Sequence, residues 1–332
     1  MLPRFPAGAS KMTRDDILRA QIPHTLREAD FPALGELYRG KVRDNFSKGG
    51  RIVMVTTDRL SAFDRVLTTI PFKGEVLNRI TVFWFEKTKD VAPNHLQDVP
   101  DPSVLVVRKL RPLSLEMVVR GYLTGSLWRD FQAGRGAKAY GIELPAGMKK
   151  DQQFENPILT PSTKEEVGKH DLPISPGELV ARGSVTQRQW DEIAQYALAL
   201  FAKGQSWAKT RGLILVDTKY EFGVDESGKI FLIDEIHTPD SSRYWIADGS
   251  EQRFAKGEDQ KMLDKEFFRQ WLIRERGYQG DGPLPEIPDA VRAELAGKYV
   301  ELAEKLTGEE PRLEVGDTRA RIERALRAKK YL

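Results

Sequence analysis

The sequence predicts a fold that combines antiparallel β-strands with amphipathic α-helices. Residues 213–245 contain two strand-like runs joined by a turn at 225–228, and the first run alternates charged with mostly apolar side chains. Two further strand-like runs lie between residues 103 and 120, and residues 186–210 carry a single apolar stripe at helical spacing. A period of two indicates half-buried strands, and the stripe indicates a helix that packs on the sheet.

The composition is that of an ordinary globular protein. With 332 residues, 40% of them hydrophobic and 30% charged, the chain can bury a large core and form two or so structural units. There is no run of roughly twenty apolar residues, so no membrane partner is expected. The opening MLPRFPAGASKMTRDD lacks the apolar centre of a signal peptide, and we therefore expect a cytoplasmic protein.

Residue usage excludes several kinds of site. The chain has no cysteine, which rules out disulfides, thiolate nucleophiles and zinc–thiolate centres. Its four histidines are scattered without helical pairing, so no histidine metal site is expected. The net charge of +3 gives no reason to expect a nucleic-acid partner. A pI of about 8.8 and a basic last helix favour that competing hypothesis, but alternating Arg and Glu are more typical of a solvated helix face.

Helical spacing of apolar side chains predicts most of the helices. The N-terminal arm, residues 1–20, includes a short helix with Thr13 as its N-cap. Further helices are predicted over 74–90, 186–210, 260–276, 288–306 and 318–328. Such stripes are typical of helices that face the core rather than a cofactor.

A basic turn follows the first predicted strand. A strand at 37–39 leads into the turn GKVR at 40–43, and the return strand is predicted at 51–56. One interpretation is an exposed hairpin with a solvated lysine. The other is a flap in which Lys41 and the backbone amides of the turn contact phosphate oxygens.

Polar groups stand out in the strand-like run LEMVVRGYL and the loop after it. Glu116 lies inside this run, where an unpaired carboxylate would be costly, so a cationic or hydroxyl partner is expected. Arg120 precedes the glycine-punctuated loop 121–126, whose amides and hydroxyls could bind an anion. Ser126 could equally cap the helix that follows, and the two interpretations are compatible.

Residues 134–176 are predicted to be an unusually long irregular stretch, because glycine, proline and short polar residues dominate it. Long ordered loops tend to be functional. Within this stretch, Ser162 and Glu165 could form a capping box at the start of a helical turn.

The hairpin at 213–245 places three charged side chains in a row. Asp217, Lys219 and Glu221 are alternate residues, so they lie roughly 6.6 Å apart on one face of a strand. A tight turn at Ser227–Gly228 would put Glu221 opposite Asp234, and opposed like charges call for a cation between them. Carboxylate oxygens suit Mg²⁺ or Mn²⁺. The alternative is a surface hairpin with solvated charges.

Six motifs in a fixed order resemble the SAICAR synthetase (phosphoribosylaminoimidazole-succinocarboxamide synthase) family of purine biosynthesis. They are GKVRD, TDRLSAFD, EMVVRGYLTGS, TPSTK, DTKYEFG and DEIHTPDSSRYW. Each is weak alone, but their order across residues 35–272 is specific, and the TPSTK region resembles the longer form of the family. The resemblance implies an ATP-dependent ligase that joins carboxyaminoimidazole ribotide (CAIR) to L-aspartate, giving SAICAR, ADP and phosphate through an acyl phosphate.

The resemblance also implies an α+β fold similar to ATP-grasp and kinase-like architectures, with the nucleotide in a cleft between a small antiparallel β subdomain and a larger α+β subdomain. The expected division is the arm at 1–20, a nucleotide-flap subdomain at 21–112, a catalytic subdomain at 113–277 and C-terminal helices at 278–332. The expected partners are small molecules, namely CAIR, L-aspartate and ATP with Mg²⁺, and the expected form is a monomer.

Residue roles are implied by the motifs that the residues match. The residues that match nucleotide contacts are Lys41, Arg43, Glu116, Glu221 and Asp234. Among these, Glu221 and Asp234 match the metal ligands. Lys219 beside Asp217 matches the catalytic centre, where an amine can neutralise charge on the transferred phosphoryl group. The residues that match substrate contacts are Arg120, Ser126, Asp217, Arg243, Arg269, Ser61, Asp64, Lys164, Asp240 and Ser241.

One position departs from the family pattern. Ser114 stands where the family usually has proline, two residues before Glu116. The segment resembles the hinge whose backbone pairs with adenine, so base recognition through main-chain groups is expected to persist. The competing enzyme hypothesis is another ATP-dependent carboxylate–amine ligase or a small-molecule kinase. A kinase of alcohols would not need arginines at 120, 243 and 269 to converge.

Overall fold

The structure, a computed structural model, describes residues 12–63, 65–164 and 171–332. The α-helices in these residues are α1 (Arg14–Gln21), α2 (Lys73–Lys87), α3 (Gly125–Gln132), α4 (Pro176–Ala181), α5 (Gln187–Thr210), α6 (Ser250–Lys256), α7 (Glu266–Arg276), α8 (Asp289–Thr307) and α9 (Thr318–Ala328). The strands of the N-terminal part are β1 (Glu36–Arg39), β2 (Arg43–Lys48), β3 (Arg51–Thr56), β4 (Arg59–Ala62), β5 (Arg65–Thr69), β6 (Leu96–Asp101) and β7 (Val104–Arg108). The strands that follow are β8 (Arg111–Pro112), β9 (Leu115–Leu123), β10 (Gln152–Leu159), β11 (Ser162–Thr163), β12 (Leu213–Val224), β13 (Ile230–Ile233) and β14 (Ser242–Ile246).

The described strands form three antiparallel sheets. The first sheet has the order β1-β2-β3-β7-β6, and β4 and β5 form a separate two-stranded sheet. The second sheet has the order β10-β9-β12-β13, with β11 paired to β9 and both β8 and β14 paired to β12. Strands β9 and β12 are therefore the centre of the second sheet, and side chains on them are held on both sides by neighbouring strands. The mixed α and β class predicted from the sequence is confirmed.

Helix α5 covers one face of the second sheet, as its apolar stripe predicts. It begins after Thr186, whose hydroxyl accepts a hydrogen bond from the Gln189 amide at 3.2 Å. Ile193, Ala197 and Phe201 are buried in the main hydrophobic core against β9 and β12. With one face of β12 committed to this core, side chains on its other face are left for a site.

The basic last helix is a packed element. Ile322 and Leu326 of α9 join the hydrophobic cluster on one face of the first sheet. Arg321 anchors the helix, because its guanidinium donates to Glu75 at 2.7 Å and to Asp101 at 3.1 Å. The remaining charges of α9 lie mainly at the surface, where Arg327 pairs with Glu323 at 2.8 Å. These contacts support the interpretation of a solvated outer face.

The prediction for the strand after the basic turn is wrong. The return strand is β2, which begins at Arg43 and pairs with β1, and the segment at 51–56 is the next strand, β3. The run RDNFSK is polar because only Asp44 and Phe46 turn towards the core, whereas Arg43, Asn45 and Ser47 line a cleft. Apolar periodicity cannot reveal a strand whose second face lines a polar site.

The stretch 134–176 is more regular than predicted. Strand β10 pairs with β9 through a register shift between Gln153 and Ile158, and this irregularity with Pro157 hides the strand in the sequence. Ser162 lies in β11 opposite Glu116, and its proposed capping partner Glu165 lies outside the described residues.

The helix predicted at 260–276 begins only at Glu266. Asp264 holds the preceding segment in place, since its carboxylate accepts hydrogen bonds from the amides of Tyr244 and Glu266, each at 2.8 Å. A short helix at 250–256 was not predicted. In the part of the chain that the structure describes, no helix combines the length and the apolar character that a membrane span needs.

Candidate active site

A cleft of about 830 Å³ opens between the first and second sheets. Its walls come from β2, β3 and β7 on one side and from β9, β12, the segment after β13 and the start of α7 on the other. Every predicted site residue that the structure describes lines it: Lys41, Arg43, Ser61, Glu116, Arg120, Ser126, Lys164, Asp217, Lys219, Glu221, Asp234, Asp240, Ser241, Arg243 and Arg269. Asp64 lies outside the described residues.

The charged row on β12 faces this cleft. Asp217, Lys219 and Glu221 line it, while Tyr220 and Phe222 are buried in the main core. The alternation seen in the sequence therefore separates side chains that line the cleft from side chains that face the core. The interpretation as a surface hairpin with solvated charges is wrong.

The predicted register of the hairpin is wrong by one residue. Glu221 lies opposite Ile233, not Asp234. The turn is longer than two residues because the Asp225 side chain accepts hydrogen bonds from the amides of Ser227 and Lys229 at 3.0 and 3.1 Å. Asp234 follows the end of β13 with a φ of 64°, so it leaves the regular pleat, and its carboxylate lines the same cleft as that of Glu221.

Two lysines neutralise the acids at the centre of the cleft. Lys219 donates to Glu116 at 2.5 Å and lies 3.8 Å from Glu221, which also contacts Lys164. The cationic partner expected for Glu116 is therefore Lys219. Burial opposes the charge on Lys219, but the carboxylates of Glu221 and Glu116 outweigh it and raise the pKa of the amine well above its usual value. Lys219 thus stays protonated across the physiological range.

Arg43 forms an ion pair with Asp234, the second of the two acids. Its guanidinium lies 3.0 Å from Asp234 and 3.2 Å from Glu235, and its side chain is buried. Burial, with repulsion from Glu221 and Glu235 against the attraction of Arg43, raises the pKa of Asp234 to about 6. The repulsion between Glu221 and Asp234 persists beside Arg43 and the two lysines, and a further bound cation would relieve it.

The donor set suits a metal ion that arrives with a nucleotide. Within residues 12–63, 65–164 and 171–332, no group of three or more His, Cys, Asp or Glu side chains is arranged to hold a metal ion by itself. Magnesium in nucleotide sites typically uses one or two carboxylates together with phosphate oxygens and water. Glu221 and Asp234 supply those two carboxylates, so the residues present fit Mg²⁺ bound to a triphosphate.

The basic turn is held in place by Arg59, a residue that the sequence patterns did not indicate. Arg59 donates to the carbonyl oxygens of Gly40 at 3.0 Å and Lys41 at 3.1 Å. Arg59 is itself held by the buried carboxylate of Asp44 at 2.7 Å. The turn that carries Lys41 is therefore a positioned flap at the edge of the cleft. Only the tertiary fold brings an arginine of β4 to these carbonyls.

A second group of charges surrounds Asp217. Arg243 contacts its carboxylate directly, and Arg120 approaches it at 3.8 Å. Arg120 also donates to Thr160 at 2.8 Å and to Ser126 at 3.3 Å. Two arginines and a hydroxyl that converge in this way provide the donors needed by a phosphate or carboxylate.

Ser126 is not the N-cap of α3. The helix begins at Gly125, and Thr124 occupies the capping position without a side-chain cap. The hydroxyl of Ser126 is instead turned to Arg120. Of the two interpretations open from the sequence, anion binding therefore fits the geometry better than capping.

Asp240 lies in a cluster that the sequence did not reveal. One of its carboxylate oxygens accepts from the Tyr299 hydroxyl at 2.7 Å, and the other lies 2.9 Å from Lys73 and 3.6 Å from Lys265. Lys73, Lys265 and Tyr299 come from three distant parts of the chain, so no local motif connects them. These cations outweigh the effect of burial and hold the pKa of Asp240 well below its usual range.

The loop between Asp234 and Asp240 is supported by a buried histidine. His237 has a φ of 53°, and its Nε2 lies 2.6 Å from the Tyr220 hydroxyl. The Tyr244 hydroxyl donates to the His237 carbonyl at 3.0 Å. Gly204 of α5 leaves room for the ring, since a Cβ at this position would lie 2.5 Å from His237 Cε1.

Replacing Gly204 by alanine is expected to destabilise the protein and to disturb the site. The added methyl group would also lie 2.7 Å from Leu215 Cδ2. Overpacking of this kind costs about 1–3 kcal/mol. The free energy of unfolding, measured with urea, should fall by about this amount in Gly204→Ala. The matched control is Gly177→Ala in α4, where a Cβ meets nothing within 4 Å. Equal stability of the two variants would contradict the packing argument.

Comparisons with known proteins identify relatives of this chain. A family model described as SAICAR synthetase matches residues 36–284. A phosphoribosylaminoimidazole-succinocarboxamide synthase of Legionella pneumophila (strain Lens) is 48% identical over 293 residues, which cover 87% of this chain and 92% of that protein. A similar protein from Arabidopsis thaliana, named as chloroplastic, is 46% identical over 301 residues, covering 89% of this chain and 72% of that protein.

Solved structures that superpose on this chain are also named as SAICAR synthases. The SAICAR synthase of Saccharomyces cerevisiae, complexed with SAICAR, superposes with a TM-score of 0.73 at 33% identity, covering 86% of this chain and 99% of that one. A SAICAR synthetase (Type-2) in complex with ADP superposes with a TM-score of 0.64 at 26% identity, covering 83% of this chain and all of that one (100%). Most of the chain is thus matched in sequence and in fold, and the chain belongs to the SAICAR synthetase family.

Proposed function

We propose that the cleft binds Mg²⁺-ATP beside Lys41, Glu221 and Asp234 and binds CAIR through the group around Asp217, so that the two substrates meet at Lys219. The observation that carries this proposal is the row Asp217, Lys219 and Glu221 on one rigid strand. At one end of the row Asp217 contacts Arg243, and at the other end Glu221 is one of the two acids proposed to hold the metal ion. A single strand thereby fixes the distance between the two substrate sites.

As a member of this family, the protein is an ATP-dependent carbon–nitrogen ligase of purine biosynthesis. The solved relatives named with bound SAICAR and ADP support a product that contains the ribotide and a nucleotide that has lost one phosphoryl group. A carboxylate is a poor acyl donor because its leaving group would be oxide. We therefore infer that the carboxylate oxygen of CAIR takes the γ-phosphoryl group of ATP, which releases ADP and forms an acyl phosphate.

The second half-reaction joins the amine. The L-aspartate nitrogen attacks the acyl carbon, the carbon–oxygen bond to the phosphate breaks, and the nitrogen gives up a proton as the amide forms. When bound, Mg²⁺ would neutralise the charge of the triphosphate, and Glu221 and Asp234 would hold it. The residues of this chain orient the reactants: Lys219 offers a permanent positive charge beside the phosphoryl group, and Arg120 and Arg243 hold the ribotide.

The first sheet offers a surface for the base. Ile52, Met54 and Val107 of the first sheet line the cleft, together with Leu110, which follows β7, and Ile233 at the end of β13. The segment after β7 leads directly to β8, which pairs with β12. We propose that the adenine ring lies against these apolar side chains and meets main-chain groups near Leu110, so Ser114, which lies after β8, does not impair base recognition.

The reaction is tested by measuring ADP release from the purified full chain while single substrates are omitted. ADP should form only when Mg²⁺, ATP, CAIR and L-aspartate are all present, and SAICAR should appear in equal amount by mass spectrometry. A small-molecule kinase would instead form ADP without L-aspartate, and another carboxylate–amine ligase would prefer a different acid or amine. Either result would contradict the proposal.

By resemblance to the family we further propose that the protein is a cytoplasmic monomer. The mass in solution, measured by sedimentation velocity, decides its oligomeric state.

A further inference from the structure

The shape of the basic turn decides what its main-chain amides can bind. All four of its residues line the cleft, and amides bind phosphate oxygens well only when they are held in one orientation. One end of the turn is fixed because the Gly40 amide donates to the Arg43 carbonyl at 2.8 Å. The other end is fixed because the Val42 carbonyl accepts from the Thr57 amide at 3.0 Å. The carbonyls of Gly40 and Lys41 take their donors from a side chain.

The guanidinium of Arg59 supplies these donors. Its Nη2 donates to the Gly40 carbonyl at 3.0 Å, and its Nε donates to the Lys41 carbonyl at 3.1 Å. Its Nη1 donates to the carbonyl of Arg27 at 2.5 Å. Nη2 and Nη1 also donate to the Asp44 carboxylate, at 2.7 and 3.4 Å. A guanidinium has five N–H donors, so the protein itself supplies an acceptor for each of them.

Arg59 holds the turn from the side away from the cleft. It is buried, and among the described residues that line the cleft neither Arg59 nor Asp44 occurs. Asp44 is fully buried and also accepts a hydrogen bond from the Ala29 amide at 2.7 Å, which fixes its carboxylate. A substrate in the cleft therefore meets the turn but not the arginine. Any effect of Arg59 on substrate binding must pass through the main chain of the turn.

The positions of the two carbonyls determine where the amides of the turn point. The peptide bonds of the described residues are trans, and in a planar trans peptide the N–H points away from the C=O of the same unit. The carbonyls of Gly40 and Lys41 converge on one guanidinium, so the amides of Lys41 and Val42 point away from it. Because Arg59 lies behind the turn, these amides are directed to the cleft.

Thr57 applies the same constraint to the next carbonyl. Its hydroxyl donates to the Val42 carbonyl at 2.5 Å, beside the bond from its amide. Thr57 is fully buried and lies two residues before Arg59. The three consecutive carbonyls of residues 40–42 are thus held by one short segment, at the point where the chain enters β4.

Resting on the function proposed above, we propose that Arg59, fixed by Asp44, is a positioning residue for the phosphates of the nucleotide: it directs the amides of the basic turn to the triphosphate without touching it. An ion pair that only stabilised the fold would need the carboxylate of Asp44 but not the carbonyls of Gly40 and Lys41. The effect of Arg59 is therefore specific to phosphate groups. The adenine ring, CAIR and L-aspartate bind independently of it.

The first test uses Arg59→Lys, because lysine can keep the ion pair with Asp44 but cannot span two carbonyls. Calorimetric titration of Mg²⁺-ADP into the full chain should show an affinity about 10- to 100-fold weaker, the effect of losing a hydrogen bond from a charged donor. KM for CAIR and for L-aspartate at saturating ATP should stay within about threefold of the wild-type values. An unchanged affinity for Mg²⁺-ADP overturns the proposal.

The matched control is Arg39→Gln. Arg39 lies 3.4 Å from the same Asp44 carboxylate, and its other contacts are with Glu28 and the Ala29 carbonyl. This variant should bind Mg²⁺-ADP as the wild type does. An equal loss of affinity in Arg39→Gln and Arg59→Lys would show that only the charge balance around Asp44 matters, and it would overturn the proposal.

A second test assigns the loss to the phosphates. Inorganic tripolyphosphate with Mg²⁺ and adenosine each displace a fluorescent ADP derivative from the full chain, and neither measurement requires turnover. In Arg59→Lys the affinity for tripolyphosphate should fall at least about tenfold, whereas the affinity for adenosine should equal that of the wild type. Equal losses for both competitors, or an equal rise in KM for all three substrates, would mean that Arg59 only stabilises the fold, and either result overturns the proposal.

If Arg59→Lys does not fold, the hydroxyl of Thr57 provides the same test. Thr57→Val removes its hydrogen bond to Val42, and Thr57→Ser keeps the hydroxyl. Tripolyphosphate should bind about 3- to 10-fold more weakly to the valine variant than to the serine variant, the effect of one neutral hydrogen bond. Equal binding to the two variants overturns the inference.

The two proposals can fail separately. A wild-type chain that makes SAICAR but whose Arg59→Lys variant binds Mg²⁺-ADP normally would contradict this inference alone. A wild-type chain without ligase activity would contradict the proposed reaction, and the binding measurements, which need no turnover, would still decide the role of Arg59.

Discussion

Replacing Glu221 by glutamine is expected to lower kcat for ADP formation by about 10²- to 10³-fold, the loss typical of removing one preorganised electrostatic group. The amide keeps the shape of the side chain but removes the charge that would hold Mg²⁺ and that pairs with Lys164 and Lys219. Asp234→Asn should act in the same direction. In both variants the Mg²⁺ concentration for half-maximal rate should rise at least about tenfold, since even outer-shell partners of a metal contribute this much to affinity.

The measurement is steady-state ADP release as a function of Mg²⁺, with circular dichroism to verify that the variants fold. Glu226→Gln is the matched control, because Glu226 is an exposed acid in the turn of the same hairpin. Its rate and its Mg²⁺ dependence should equal those of the wild type. Wild-type turnover in Glu221→Gln or Asp234→Asn would show that the metal assignment is wrong.

Replacing Lys219 by methionine is expected to reduce kcat by about 10²- to 10³-fold with a smaller change in KM for ATP. The amine lies between Glu116 and Glu221 and stays protonated, so it can neutralise charge that develops on the phosphoryl group. An interaction made mainly in the transition state lowers kcat and kcat/KM by equal factors. Methionine also removes the cationic partner of the Glu116 carboxylate, which adds a loss of stability.

Single-turnover and steady-state rates distinguish this role from simple binding. Lys229→Met provides the control, because Lys229 is an exposed lysine of the same hairpin. A variant at Lys219 with normal kcat and an increased KM would mean that the amine only attracts the nucleotide. Together with the Glu221 variants, these measurements test the centre and one end of the charged row on β12.

Local sequence patterns predicted those helices and strands whose two faces differ in polarity. The stripe of α5, the cap at Thr13 and the alternation on β12 were visible in the sequence and are present in the structure. Strand β2 and strand β10 were missed. Strand β2 is polar because its second face lines the cleft, and β10 contains a register shift. Hydrophobic periodicity reports burial, so it fails where a strand faces a polar site or leaves its register.

The candidate site, too, could be predicted only in part from the sequence. The row Asp217, Lys219 and Glu221 could be predicted because neighbours on one strand have a fixed spacing. The relation between Glu221 and Asp234 could not, since side-chain hydrogen bonds from Asp225 lengthen the turn and shift the register.

The chemistry on each strand and, through six ordered motifs, the family could therefore be predicted from the amino-acid sequence alone. The contacts between groups that are distant along the chain depend on the packing of the whole fold. Arg59 holds the flap from β4, and Lys73, Lys265 and Tyr299 gather around Asp240 from three separate elements. Such clusters form because a buried charge must find partners wherever the packed chain supplies them, and that requirement leaves no local pattern in the sequence.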